Sequence, residues 1–89
     1  MIRLYAVYDA KSETWDIPFR AGSDVEVVRM IDSEFKRNSE TMFVMYPEDF
    51  SVWFVGEFHQ GAGVYQPVNL VKVANFTDFV KKSKLLFII

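Results

Sequence analysis

Cysteine is absent from this 89-residue chain, which is also poor in groups that build catalytic and metal sites. Without cysteine there is no disulfide framework and no thiolate metal site. The single histidine, His59, has no obvious second group in the sequence for acid–base chemistry. Glu48 and Asp49 are two adjacent carboxylates, fewer than a calcium loop needs. We therefore expect no enzymatic activity, no metal and no cofactor.

Long apolar runs are also missing from the sequence. None approaches the roughly 18–20 residues of a membrane span. The first nine residues alternate in polarity and lack the unbroken apolar core of a signal peptide. The expected location is therefore the cytoplasm, with no membrane partner.

Apolar and aromatic residues are abundant, at 51% and 17% of the chain, so the sequence is well above the hydrophobicity of disordered chains. At this length we expect a single domain over residues 1–89. So many apolar side chains exceed what one small core can bury, which favours a homo-oligomer, most simply a dimer. The apolar tail Leu85–Ile89 is a candidate intersubunit element.

Alternating polarity predicts two antiparallel hairpins. The first joins a strand over Ile2–Tyr8 to one over Trp15–Arg20, where Pro18 implies an edge or a bulge. The second joins Ser51–Phe58 to Val64–Val73, with a break or bulge at Pro67. Alternation within Ser51–Phe58 predicts one face made of Val52, Phe54, Gly56 and Phe58 and another made of Trp53, Val55 and Glu57.

A capping box predicts the main helix, because Ser23 is followed three residues later by Glu26. An apolar stripe then extends the helix over Asp24–Arg37. Met42–Tyr46 fits a strand or a buried loop, and a short C-terminal helix is expected from about Asn75 to Ser83. The predicted fold is α+β: an antiparallel sheet of about four to five strands, with the main helix on one face.

Three segments of the sequence resemble the small non-structural protein of gokushoviruses, which are single-stranded DNA phages of the Microviridae. They are Leu4–Asp9, Phe19–Gly22 and, most specifically, Tyr46–Phe58 with its Pro-Glu-Asp-Phe start. The resemblance covers about residues 2–70. It implies a protein of the bacterial cytoplasm that is absent from the mature virion and binds single-stranded DNA during genome replication or packaging.

The charge distribution gives this expectation limited support. Residues 1–67 hold six Lys or Arg against eleven Asp or Glu, a net −5, whereas residues 68–89 hold four Lys against one Asp, a net +3. Single-stranded DNA is bound by cationic side chains and by aromatic rings on which bases stack. The candidate DNA-binding residues are Arg3, Tyr5, Arg20, Arg29, Lys36, Arg37, Trp53, Lys72, Lys81, Lys82 and Lys84.

Alternative roles for these residues stay open. Aromatic residues on strands are more often core than binding surface, and basic residues on a helix often form a solvated face. The acidic body favours a second function, in which the protein is an assembly or interaction factor that engages a phage or host protein without binding DNA.

Overall fold

A computed structural model describes residues 1–37 and 40–80, and it confirms the α+β fold with a five-stranded antiparallel sheet. The elements follow the predicted order of hairpin, helix and hairpin. They are β1 (Ile2–Asp9), β2 (Thr14–Trp15), β3 (Phe19–Ala21), α1 (Asp24–Arg37), α2 (Met42–Met45), a 3₁₀ turn (Pro47–Asp49), β4 (Phe50–His59), β5 (Val64–Asn75) and α3 (residues 77–80).

Strands β1 and β4 lie side by side in the middle of the sheet, and the longest strand, β5, forms one edge. Both β2 and β3 pair with the other side of β1. The sequence predicted one continuous strand here, but residues 16–18 interrupt it. Pro18 cannot donate a hydrogen bond to the sheet, so the chain leaves β1 and returns at Phe19.

Helix α1 has the predicted bounds, and its first turn is capped on both sides. The Glu26 backbone N–H donates to the Ser23 hydroxyl at 3.2 Å. The Glu26 carboxylate in turn accepts a 2.8 Å hydrogen bond from the Gly22 N–H, one residue before the position expected in a capping box. Two backbone donors that the helix itself cannot satisfy thus find partners at its start.

The core lies between α1 and one face of the sheet. Buried side chains from α1, including Val27 and Ile31, meet Tyr5 from β1 and Val52 from β4. At one end of this core, Phe76 is 1% exposed and contacts four other rings at centroid distances of 5.5–6.1 Å. These rings are Phe35, Phe43, Phe50 and Phe79.

An extra residue in β4 corrects the predicted faces of that strand. Phe54 lies opposite Tyr5 and Gly56 lies opposite Leu4, so Val55 has no partner of its own in β1. Such a bulge reverses the alternation of side chains beyond it. Gly56 therefore shares the face of Trp53 rather than that of Val52, and so does Phe58, which lies opposite Ile2.

Two other expectations fall on the segments that flank the second hairpin. The apolar run at Met42–Met45 is neither strand nor buried loop but a single helical turn, and Met42 and Met45 are exposed. A run of four apolar residues is too short to show whether the pattern is that of a strand or of a helix. The short C-terminal helix is confirmed over residues 77–80, whereas residues 81–83 and the tail Leu85–Ile89 lie outside the described residues.

Ser23→Ala is expected to lower the free energy of unfolding by about 0.5–2 kcal/mol, because it removes the hydroxyl that caps α1. Thermal or urea unfolding followed by circular dichroism measures the change. Ser33→Ala, on the exposed side of the same helix, is the matched control and should have little effect. An unchanged stability of Ser23→Ala would contradict the capping role.

Candidate nucleic-acid interface

The sheet face opposite α1, called the open face here, carries aromatic and basic side chains together. All three described helices contribute side chains to the core on the other face. Residues directly opposite each other in an antiparallel pair project to the same face. The pairs Tyr8 with Trp15, Ala6 with Trp53, Trp53 with Lys72, Leu4 with Arg20, and Phe58 with Tyr65 therefore define the open face.

Trp53 is the centre of this surface, and its ring is held in a defined orientation. Its indole N–H donates a 2.8 Å hydrogen bond to the Ser51 hydroxyl. The Trp15 ring meets it edge-on at a centroid distance of 5.9 Å, and Tyr8 lies 4.8 Å from Trp15. The Lys72 ammonium lies 5.3 Å from the Trp53 ring centroid, within the range of a cation–π interaction.

Tyr65 extends the aromatic surface along the second hairpin. Its hydroxyl donates a 3.1 Å hydrogen bond to the Val55 carbonyl, which fixes the ring across β4. A Cβ atom on Gly56 would lie 2.6–2.8 Å from three atoms of this tyrosine, so only glycine lets the ring lie so close to the strand. The residue is 48% exposed and remains accessible from solvent.

Tyr5 does not belong to this surface, and the expectation that its ring stacks on bases needs correction. The residue is 0% exposed beneath α1. Its hydroxyl donates a 2.7 Å hydrogen bond to Asp24 at the start of the helix. Arg3 donates to the same hydroxyl at 2.8 Å and to Asp24 at 3.2 Å, and its guanidinium lies 4.0 Å from the Phe54 ring centroid. Both residues thus link α1 to the sheet by hydrogen bonds.

The basic residues of α1 lie on the opposite side of the molecule from Trp53. Lys36 pairs with Asp32 at 3.1 Å and Arg37 pairs with Glu34 at 2.9 Å. Arg29 is exposed and forms no ion pair within the described parts of the chain. The structure therefore brings together Arg20, Trp53 and Lys72 but separates them from the helix cations. The predicted sites Lys81, Lys82 and Lys84 lie outside the described residues.

His59 and the described acidic side chains were also candidates for chemistry in the sequence. His59 Nε2 is hydrogen-bonded to the Gln66 side chain at 3.1 Å on the second hairpin. Across residues 1–37 and 40–80, no three His, Asp or Glu side chains converge as metal ligands do. In the same ranges, no helix is long and apolar enough to cross a membrane.

Comparison with known proteins identifies the family to which this chain belongs. The sequence profile described as Phage ORF5 protein matches residues 2–79, which span nearly all of the described chain. The chain belongs to the Phage ORF5 family. It is 28% identical over 85 residues to Protein ORF5 of Chlamydia phage 1, and the alignment covers 90% of this chain and 88% of that protein. The resemblance to gokushovirus proteins is thereby confirmed.

No solved structure matches this member of the ORF5 family. The sequence pattern missed Tyr8 and Phe58 as parts of the aromatic surface. A signal for Tyr8 was present, since the even positions of β1 are all apolar or aromatic, but Phe58 reaches this face only through the bulge at Val55.

Tyr5→Phe in this ORF5 protein is expected to lower the free energy of unfolding by about 1 kcal/mol at neutral pH, because it removes the hydroxyl shared by Arg3 and Asp24. Burial raises the pKa of Tyr5 above its ordinary value. The unfolded chain therefore ionises first as pH rises past about 10, so the stabilising effect of the hydroxyl shrinks there.

Urea unfolding of the parent and of Tyr5→Phe at pH 7 and above pH 10 measures both effects. The stability difference between the two proteins should narrow at the higher pH. Tyr46→Phe changes an exposed ring and serves as the control, with an expected effect within about 0.5 kcal/mol at neutral pH. A difference that widens at high pH would contradict the raised pKa.

Proposed function

We propose that this phage protein binds single-stranded DNA without sequence specificity through the open face, during genome replication or packaging in the bacterial cytoplasm. The observation that carries the proposal is the placement of Lys72 over the ring of Trp53, beside Trp15, on the sheet face away from α1. Exposed aromatic faces with adjacent cations are the two components that single-stranded nucleic-acid sites combine.

The stacking component rests on rings that are both accessible and oriented. Trp15 is 43% exposed and Tyr65 is 48% exposed, while Trp53 is partly exposed and fixed by Ser51. Holding a ring in place before binding reduces the entropy lost on binding. A base stacked on such a ring contributes roughly 1–3 kcal/mol, and any base can stack, which accounts for the lack of sequence specificity.

The cationic component lies at the two margins of the face. Arg20 is on β3 and Lys72 is on β5, with β1 and β4 between them. Adjacent strands are about 4.8 Å apart, so these cations are separated by roughly 14 Å across the sheet. No acidic residue is among the cross-strand pairs that define the open face. A phosphate backbone crossing the strands can thus contact a cation on each side of the aromatic centre.

A second function, binding of a phage or host protein, is favoured by a different observation. Exposed large apolar side chains continue beyond the open face, and they include Ile17 at 83% and Leu70 at 53% exposure. Aromatic residues with few charges are also typical of the centre of a protein interface. Residues 1–67 carry a net −5, which supports a protein partner over a polyanion.

Two substitutions on the open face separate stacking from charge. Trp53→Ala is expected to weaken single-stranded DNA binding by roughly 1–3 kcal/mol and to leave the salt dependence nearly unchanged. Lys72→Gln is expected to lower the slope of log K against log salt concentration by about 0.7, the contribution of one phosphate contact on a single strand. Fluorescence anisotropy with oligonucleotides of differing sequence at several salt concentrations measures both.

Arg29→Gln removes an exposed cation from the far side of the molecule and is the matched control for Lys72→Gln. It should change neither affinity nor slope, and thermal unfolding verifies that each variant folds. A parent protein that does not bind single-stranded DNA at low salt would overturn the proposal and favour the protein-binding function. A loss of slope in Arg29→Gln but not in Lys72→Gln would move the site to α1.

A further inference from the structure

The outer edge of β5 is the longest exposed backbone edge among the described strands. β5 runs for 12 residues from Val64 to Asn75 and ends the strand order β2, β1, β4, β5. Within residues 1–37 and 40–80, no strand pairs with its outer side. Unpaired N–H and C=O groups along an edge strand are a template for pairing with another strand.

The side chains of β5 are mostly apolar and almost uncharged. Lys72 is the one ionisable cation among these 12 residues, and there is no Asp or Glu. Leu70 and Val71 are each 53% exposed beside it. A highly charged partner would find little complementary charge here, whereas two copies of this strand repel each other only through their single lysines.

Irregular positions along β5 limit where it can pair with another strand. Pro67 has no N–H to donate. The Asn75 N–H donates to the Asp78 carboxylate at 3.3 Å. β5 has register shifts on both sides of Val71: three of its residues lie between the partners of Gly56 and Phe54, and Val73 lies between the partners of Trp53 and Val52. Val71 and Lys72, between the two shifts, keep a regular register with β4, and Val71 is exposed there on an edge with no partner strand among the described residues.

We propose that two copies of the chain pair antiparallel along β5, about a two-fold axis near Val71. Pairing centred on Val71 places this residue opposite the partner's Val71 and places Leu70 opposite the partner's Lys72. The two Lys72 residues are then not directly opposite, which avoids a destabilising like-charge pair. The result is a continuous sheet of ten strands with both α1 helices on the same side.

The pairing also joins the two open faces, since the two-fold axis runs perpendicular to the sheet. The two Trp53 rings then lie on one surface, and both β5 strands with their Lys72 side chains lie between them. This consequence for DNA rests on the proposed function. The longer surface would bind one strand of DNA through both copies and raise the affinity over that of a single chain by an effective-concentration effect.

The absence of cysteine allows a direct test, because an introduced cysteine is the only thiol in the chain. Directly opposite residues in an antiparallel pair are close enough for a disulfide. Under mild oxidation, Val71→Cys should form a covalent dimer rapidly. Val25→Cys, on the exposed side of α1 at 67% exposure, is the matched control and should not. Equal crosslinking of both variants would contradict pairing at β5.

Val71→Lys tests the same contact without a crosslink, since it places two cations opposite each other. Sedimentation of the parent at micromolar concentration should give twice the chain mass of 10.4 kDa, and Val71→Lys should sediment as the 10.4 kDa monomer. Val25→Lys should remain a dimer, and circular dichroism verifies the fold of each variant. A monomeric parent overturns the proposal, and so does a Val71→Lys variant that remains dimeric.

Hydrogen exchange shows whether the outer edge of β5 is covered by a second copy or by another segment of the same chain. Protection of the outer β5 amides should increase with protein concentration. Protection that is independent of concentration would overturn the proposal, because the edge would then be covered within one chain. These measurements contain no DNA, so a failure of DNA binding and a failure of dimerisation are observed separately.

Discussion

Packing around Phe76 determines which face of the sheet becomes the core. This residue directly follows β5, and its ring contacts aromatic side chains from α1, α2, β4 and α3. Its backbone N–H also donates to the Phe50 carbonyl at 3.1 Å, which closes the end of the β4–β5 pair. Through these contacts, the buried Phe76 ring packs against every described helix on the same side of the sheet. Because the helices are all on that side, the tryptophans and Tyr65 are left on the other.

The elements differ in how far neighbouring residues in the sequence determine their structure. α1 was predicted with its correct bounds because the cap at Ser23 and the apolar stripe both depend on neighbours within a few residues. The face on which Phe58 lies was not predicted correctly. The bulge at Val55 arises from pairing with β1, which is about 50 residues away along the chain. Period-two patterns indicate that side chains alternate, but they do not reveal where an extra residue shifts the alternation.

The candidate site was predictable only in part, for the same reason. Trp53, Lys72 and Arg20 were chosen for their chemistry, and their proximity follows from a strand order that no local pattern contains. Tyr5 and Arg3 have the same chemistry but point under α1, where they bind each other and Asp24. Residue type therefore identified candidates, while the side of the sheet decided which of them are accessible. Arg29, Lys36 and Arg37 of α1 lie on the other side of the sheet and therefore form a separate surface.

The distribution of the aromatic residues has a spectroscopic consequence. The described core is built from phenylalanine, tyrosine and aliphatic residues, whereas the chain's two tryptophans, Trp15 and Trp53, both lie on the open face. Intrinsic tryptophan emission from this protein therefore originates from a single surface, and the Lys72 ammonium lies next to one of the two emitting rings. The protein thus carries its own optical reporter for whatever occupies that surface, with no label attached.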